Sequence, residues 1–171
     1  MTAADPALDP ASATVDALRS RGWTLATAES LTAGLLASTV ARIPGASDVL
    51  RGGLIVYATD LKTSLAGVPG AVLSRHGAVS GETARALADG AAGRCGATVG
   101  IGLTGVAGPA EQEGHPVGTV YIGVRMPGAG TWSVPVSLTG DRQQIRDAAC
   151  SAALEQILLR LGDGPGNESG R

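Results

Sequence analysis

Apolar residues recur every three or four positions in several stretches of the chain, a spacing that places them on one face of an α-helix. The first stretch contains Ala11, Val15 and Leu18 and follows Asp9-Pro10, a helix cap with proline at the first helical position. The pattern predicts helices at about 10–21, from Leu31 to the Pro44-Gly45 pair, at 60–66, from a Ser80 cap to about 94, and at 141–161, the last with Ile145, Ala149, Ala152 and Leu159 on its apolar stripe.

Short apolar runs lie between these helices, and such runs are typical of strands. The last two runs flank residues 126–130, whose proline and glycines indicate a turn, so they predict an antiparallel hairpin. We predict strands at 23–28, 53–59, 97–104, 117–125 and 131–138, with loops at 68–77 and 105–116.

Helices and strands alternate along most of the chain, which favours parallel strands covered by helices on both faces. The hairpin adds antiparallel strands to this arrangement. We therefore predict an α/β fold, a three-layer α/β/α sandwich with a mixed β-sheet. It would form a single domain at 1–161, followed by a flexible tail at 162–171.

Composition changes this picture in two ways. Phenylalanine is absent and aromatic residues make up 2% of the 171 residues, so the core must consist of small aliphatic side chains at close backbone spacing. The net charge of −2 provides no general attraction to polyanions, which argues against nucleic acid or a membrane surface as partners. Any anionic ligand would have to be bound locally.

Two other features bear on the compartment. Residues 1–10 contain Asp5 and Asp9 but no basic residue and no apolar segment, so we expect no secretory signal there. Cys95 and Cys150 lie far apart without a CxxC motif, and we interpret both as free thiols. These observations fit a cytoplasmic protein.

Residues 100–105 spell GxGxxG, a pattern that binds dinucleotides when it follows a strand and opens a helix. Here it lies within a predicted strand, so we interpret its glycines as sites of close backbone packing. The overlapping segment from Thr104 to Pro109 is a backbone-rich loop at a strand end. Such a loop can present N–H groups to a phosphate, although a turn without a ligand fits the pattern equally well.

Ser30 lies at a predicted junction between a strand and a helix, where a serine is either a helix cap or a nucleophile near an oxyanion site. A nucleophilic serine needs a base. His76 and His115 fall in predicted loops and no GxSxG motif is present, so the sequence does not support a Ser-His-Asp triad.

Lys62 is the single lysine among 13 basic residues. A lysine can lose its proton near neutral pH and an arginine cannot, so Lys62 is an alternative base; the other interpretation is a lysine on a helix surface. Arg142 and Arg146 lie one turn apart at the start of the last helix, where cations oppose the helix dipole. They require either a carboxylate partner or a ligand phosphate.

Six motifs occur in order between about Leu18 and Leu158, and together they resemble the CinA C-terminal domain, the nicotinamide-nucleotide amidohydrolase family. The motifs are TAESLTAG at 27–34, GGLIVY at 52–57 with Lys62 after it, HGAVS at 76–80, TGVAGP at 104–109, PVGTV at 116–120 and GDR at 140–142.

The resemblance implies an α/β/α domain that deamidates nicotinamide mononucleotide to nicotinate mononucleotide and ammonia, as a homodimer and without a cofactor or metal. It implies Ser30, Tyr57 and Lys62 as catalytic residues. The chain would be a stand-alone version of the domain. We expect substrate contacts from Glu29, Thr32, Gly34, Thr104, Gly105, Gly108 and Arg142.

The chain departs from the family pattern next to these motifs. Leu31 and Ala33 replace a cysteine and a glycine, and the glycine-rich loop that normally carries a lysine becomes AEQEGH at 110–115. The carboxylates of Glu111 and Glu113 would repel a phosphate nearby. Two alternatives therefore stay open: a catalytically silent nucleotide-binding or regulatory protein, and an amidohydrolase of a different pyridine or nucleoside amide.

Overall fold

Polar side chains start three of the helices by binding the free N–H groups of the first turn. The carboxylate of Asp9 accepts a hydrogen bond from the N–H of Ala11 at 3.2 Å. Ser80 Oγ accepts one from Thr83 N–H at 3.1 Å. Asp141 and Gln144 form a reciprocal pair in which each side chain accepts the other's backbone N–H, at 2.8 and 2.9 Å. All three helices begin where the sequence predicts them.

The computed structural model describes residues 9–162. In chain order its elements are α1 Pro10–Arg19, β1 Leu25–Glu29, α2 Leu35–Ala41, a short 3₁₀ turn Ala46–Asp48, β2 Leu50–Ile55, α3 Thr59–Ser64, α4 Gly70–His76, α5 Gly81–Cys95, β3 Val99–Gly105, β4 Thr119–Met126, β5 Gly130–Ser137 and α6 Arg142–Gly162. Residues 1–8, examined above for a secretory signal, and all but Gly162 of the predicted tail lie outside this range.

The five strands form one sheet in the order β2-β1-β3-β4-β5. Strand β1 pairs in parallel with both β2 and β3, whereas β3-β4 and β4-β5 are antiparallel. Helix α5 covers one face, and α1, α2 and α6 cover the other. The predicted three-layer α/β/α sandwich with a mixed sheet is therefore confirmed, including the C-terminal hairpin.

Glycines in the central strands bring α5 unusually close to the sheet. A Cβ at Gly100 would overlap the carbonyl oxygen of Ala88, and one at Gly102 would lie 2.6 Å from Leu87 Cβ and 2.7 Å from Ala88 N. Gly123 of β4 meets the α5 backbone at Ala84 in the same way. The GxGxxG segment lies within β3 and serves helix packing, as its position in a strand predicted.

The sequence interpretation was wrong for two helices. Residues 70–76 form α4 although a loop was predicted, because Val72 and Leu73 pack against the core beneath α5. Helix α2 begins at Leu35 and not at Leu31, because Ala33 and Gly34 have φ angles of +48° and +96°, which no helix contains. Ser30 is thus followed by a turn.

Smaller differences concern element ends and one helix face. Strand β2 begins at Leu50, three residues earlier than predicted, and ends at Ile55, so Tyr57 lies beyond the strand. On α6, Ile145 and Ala149 are buried as expected, but Leu159 is 61% exposed. The buried stripe continues instead through Cys150, Ala153, Leu154 and Ile157.

Candidate active site

The carboxyl ends of the parallel strands bring the predicted residues together. Ser30 directly follows β1, the 56–58 segment follows β2, and the 105–109 loop begins at the end of β3. The chain continues from β1 to β2 on one side and from β3 to β4 on the other, so a crevice forms between the ends of β1 and β3. Ligands of open α/β sheets bind at such a point.

Ser30 and Lys62 form a buried pair at the floor of this crevice. Lys62 Nζ lies 3.1 Å from Ser30 Oγ, and it also contacts the backbone carbonyl oxygens of Val56 at 2.9 Å and Tyr57 at 3.4 Å. The lysine is 2% exposed and Ser30 is 9% exposed. Lys62 is therefore not a surface lysine, although it belongs to a six-residue helix, α3.

Burial lowers the pKa of Lys62, because an ammonium ion loses solvation when it is removed from water, and the negative charge of Glu113 partly opposes this effect. A lowered pKa increases the fraction of neutral amine near neutral pH. A neutral amine has two hydrogens and one lone pair. The carbonyls of Val56 and Tyr57 can accept the two hydrogens, which leaves the lone pair for the hydroxyl proton of Ser30.

The phenol of Tyr57 lies apart from this pair. Its side chain is 55% exposed, and its hydroxyl accepts a hydrogen bond from Arg142 at 2.7 Å. A second guanidinium nitrogen of Arg142 donates to the carbonyl oxygen of Gly108. Lys62 thus touches Tyr57 through the backbone, whereas the phenol and Arg142 form one wall of the crevice.

The turn after Ser30 is held from one side by Glu29. This carboxylate accepts hydrogen bonds from Thr27 Oγ1 at 2.9 Å and from the N–H groups of Gly34, Leu36 and Ala37 at 2.9–3.0 Å. The residue is 1% exposed. Glu29 was expected to bind substrate, but its oxygens are occupied by protein donors, and it acts as the cap of α2.

Arg146 holds the same turn from the other side. Its Nε donates to the carbonyl oxygen of Leu31 and a terminal nitrogen donates to that of Thr32, both at 2.9 Å. The sequence indicated an anionic partner for this arginine, but backbone carbonyls take that role. Within residues 9–162 the N–H groups of Leu31 and Thr32 have no acceptor, and Leu31, next to Ser30, lines the pocket above the serine.

A pocket of about 180 Å³ opens above the serine. Of the predicted site residues it is lined by Ser30, Tyr57, Gly105, Gly108 and Arg142, and Lys62 touches Ser30 beneath it. The other lining residues are Leu31, Val106, Ala107, Ala110 and Gln112. Sequence reasoning did not single out Ala110 or Gln112 as lining, because nothing in the loop composition shows which residues face a pocket.

Three further predicted contacts do not line the pocket. Thr104 is buried, and its hydroxyl donates to the carbonyl of Ala78 at 2.6 Å. Gly34 lies in the turn with its N–H bonded to Glu29. Thr32 is fully buried, and its hydroxyl has no hydrogen-bond partner within the described part of the chain.

Within residues 9–162, the histidines and the cysteines lie away from this pocket. No cluster of three or more metal-binding side chains occurs there, and none of the described helices is long and apolar enough to cross a membrane. Neither histidine lines the pocket: His76 lies 3.8 Å from Glu82, and His115 packs edge-on against Tyr121. Both cysteine thiols are free, with Cys150 buried in α6.

Comparison with known proteins identifies relatives over almost the whole chain. CinA-like proteins of Frankia casuarinae and Myxococcus xanthus are 48% and 45% identical to it over 148 and 152 residues, which is 86% and 88% of this chain. These alignments include 34% and 36% of the relatives. The chain therefore spans about a third of the length of the curated relatives it matches.

Solved structures show the same fold. The competence/damage inducible protein CihA of Agrobacterium tumefaciens superposes with a TM-score of 0.85 at 31% identity, covering 95% of this chain and 100% of the other. A CinA superfamily protein of Klebsiella pneumoniae gives 0.86 at 28% identity, covering 90% and 96%. The sequence model of the CinA C-terminal domain matches residues 8–161. The chain belongs to the CinA C-terminal domain family.

Proposed function

We propose that this domain hydrolyses the carboxamide of nicotinamide mononucleotide, yielding nicotinate mononucleotide and ammonia. The observation that carries the proposal is the buried contact between Ser30 Oγ and Lys62 Nζ at 3.1 Å. A serine beside a base of lowered pKa is the arrangement required for nucleophilic attack on an amide. The family resemblance of the ordered motifs supports the choice of substrate.

In the first half-reaction, Ser30 Oγ attacks the amide carbon while its proton moves to the neutral Nζ of Lys62. The carbonyl oxygen becomes an oxyanion, which the N–H groups of Leu31 and Thr32 are free to bind. Gly34 N–H, expected to contribute, is bonded to Glu29 instead. The C–N bond then breaks, Lys62 returns the proton to the leaving nitrogen, and ammonia departs from an acyl-serine.

In the second half-reaction, water replaces ammonia. Neutral Lys62 takes a proton from the water as its oxygen attacks the acyl carbon, and the same N–H groups receive the oxyanion again. The ester bond to Ser30 breaks, the serine regains its proton from Lys62, and the carboxylic acid is released and loses its own proton to water. The lysine ends in its starting state.

The rest of the substrate extends away from Ser30. A pocket of about 180 Å³ lies below the roughly 300–1,000 Å³ of common ligand pockets, so it suits the pyridine carboxamide and not the whole nucleotide. The phosphate would then lie outside, towards Arg142. This guanidinium has five N–H donors and spends two on Gly108 and Tyr57, which leaves donors for an anion.

The test is ammonia release from nicotinamide mononucleotide by the wild type, Ser30→Ala and Lys62→Arg, with Thr63→Ala on the exposed side of α3 as the control. We expect each of the first two variants to lose at least about 10²-fold in kcat, and the control to keep wild-type activity. Because the base must be neutral, wild-type activity should fall as the pH drops below the lowered pKa of Lys62 and level off above it.

The alternatives give different results in the same assay. Thermal stabilisation by the nucleotide without ammonia release would indicate a binding protein. Ammonia release from the unphosphorylated riboside at an equal or higher kcat/KM would indicate another amide as substrate. Activity that survives in both folded variants would exclude the proposed roles of Ser30 and Lys62.

A further inference from the structure

The loop at 110–115 departs from the family pattern, and the structure shows how it is built. Gln112 and His115 pair through two backbone hydrogen bonds, with N···O distances of 3.2 and 2.8 Å. Glu113 and Gly114 between them have φ angles of +51° and +76°, as in a two-residue hairpin of type I′. Glu113 therefore sits at the tip of a tight hairpin.

The carboxylate of Glu113 reaches from this tip to the segment that precedes α5. Its two oxygens accept hydrogen bonds from the successive N–H groups of Ala78 and Val79, at 3.1 and 3.0 Å. Gly77 makes the approach possible, since a Cβ there would lie 2.6 Å from a carboxylate oxygen. Each oxygen of the side chain is thus engaged by a separate backbone donor.

The segment that receives Glu113 is itself firmly anchored. The carbonyl of Ala78 accepts from Thr104 Oγ1 of β3, and that of Gly77 accepts from Thr83 Oγ1 of α5, both at 2.6 Å. Ala78 and Val79 are 3% and 1% exposed. A hydrogen bond to this segment therefore fixes the hairpin relative to the sheet.

Two residues that precede Glu113 in the loop connect it to the active site. Ala110 and Gln112 line the pocket above Ser30, so the position of the hairpin determines one wall of that pocket. Glu111 and Glu113 are both exposed and neither lines the pocket, but the carboxylate of Glu113 is bonded to Ala78 and Val79. The sequence predicted the same repulsion of a phosphate for both carboxylates, but the structure gives them different surroundings.

We propose that Glu113 is a positioning residue of this site: it binds the 110–115 hairpin to the N–H groups of Ala78 and Val79, and thereby fixes the pocket wall formed by Ala110 and Gln112. The effects that we expect on KM and kcat rest on the proposed function. The lysine titration and the amide exchange do not depend on it. The negative charge of Glu113 also raises the pKa of Lys62, against the larger lowering by burial. It thereby keeps the amine basic enough to accept the proton of Ser30.

Other charged groups near the site are engaged elsewhere. Glu29 caps α2, Arg146 holds the turn after Ser30, and Arg142 is bonded to Gly108 and Tyr57. Asp60, on α3 with Lys62, is exposed. Among the charged groups of residues 9–162, Glu113 is the one whose removal we expect to lower the pKa of Lys62.

The chain's single lysine makes this directly measurable. In protein labelled with ¹³C at the lysine Cε, one side-chain signal reports the titration of Lys62. We expect its midpoint to move to lower pH in Glu113→Gln and Glu113→Ala, and to stay at the wild-type value in the neighbouring control Glu111→Gln. Glu113→Gln keeps one acceptor, so it also serves if the alanine variant folds poorly.

Two further readouts separate positioning from charge. Hydrogen exchange at the amides of Ala78 and Val79 should accelerate in Glu113→Ala, and KM should rise roughly tenfold while kcat changes less. An unchanged lysine titration and unchanged amide exchange in both Glu113 variants would overturn the proposal. If the wild type releases no ammonia, the proposed function fails, and the titration and exchange data still decide the role of Glu113.

Discussion

Lys62 shows why residue type matters at a buried position. An arginine there would stay charged and could not accept a proton from Ser30, whereas a neutral lysine can donate its two hydrogens to the two backbone carbonyls and direct its lone pair towards the serine. The single lysine of the composition could be suspected from the sequence. Its burial at 2% exposure could not, because α3 has too few residues to show an apolar face.

Tyr57 allows a prediction at the same scale. The phenol is bonded to Arg142, and Lys62 contacts the backbone oxygen of Tyr57, so Tyr57→Phe keeps the Ser30-Lys62 pair intact. We expect kcat for nicotinamide mononucleotide to fall less than about tenfold, with a larger rise in KM through the freed Arg142.

Steady-state kinetics of two separate variants, Tyr57→Phe and Lys62→Arg, compare the loss of kcat that each substitution causes. A kcat for the phenylalanine variant as low as that of Lys62→Arg would show that the phenol relays the proton between serine and lysine.

At the scale of elements, two charged side chains hold the turn after Ser30. Glu29 accepts hydrogen bonds from N–H groups at the start of α2. Arg146, on α6, donates hydrogen bonds to the carbonyls of Leu31 and Thr32. The sequence predicted a substrate contact for Glu29, and either a carboxylate partner or a ligand phosphate for Arg146. In the structure their partners are mainly backbone atoms, which no motif identifies.

The packing of α5 on the sheet leads to a second prediction. Gly102→Ala would place a methyl group 2.6–2.7 Å from atoms of Leu87 and Ala88, including the rigid helix backbone, and should destabilise the protein by about 1–3 kcal/mol. Gly93→Ala on the exposed side of the same helix meets nothing within 4 Å and should stabilise it by about 0.5–1 kcal/mol.

Urea unfolding of the two variants measures these free energies. Equal effects of the two substitutions would mean that α5 can move away from β3 at little cost, and that the glycines of the GxGxxG segment are not needed for close packing.

At the scale of the whole molecule, one sheet separates two apolar cores. The larger contains side chains of α1, α2 and α6 with Ile101 and Leu103 of β3, and the smaller lies between α5 and Ala26 and Ala28 of β1. Because alternate residues of the same strands enter both cores, neither can unfold while the other stays intact.

This predicts one cooperative unfolding transition. Ile157→Val in the larger core should cost about 0.5–1.5 kcal/mol, and its effect should add to that of Gly102→Ala to within about 0.5 kcal/mol, since the two sites lie on opposite faces of the sheet. Far-UV circular dichroism and the fluorescence of Trp23 and Trp132 should report coincident midpoints. Separate midpoints for the two signals would show that the cores unfold independently.

The linear pattern of apolar residues was enough for the fold class and for the order of strands and helices except α4. Residue type was enough for the caps at Asp9 and Ser80, because a cap depends on neighbours within a few positions. The ordered motifs were enough for the family. Only the folded chain places Lys62 beneath Ser30, ends the segment after Ser30 in a turn, and joins Glu113 to Ala78 and Val79. Those features depend on contacts between residues that are distant in sequence, where burial and the satisfaction of backbone hydrogen bonds, and not local propensity, determine the outcome.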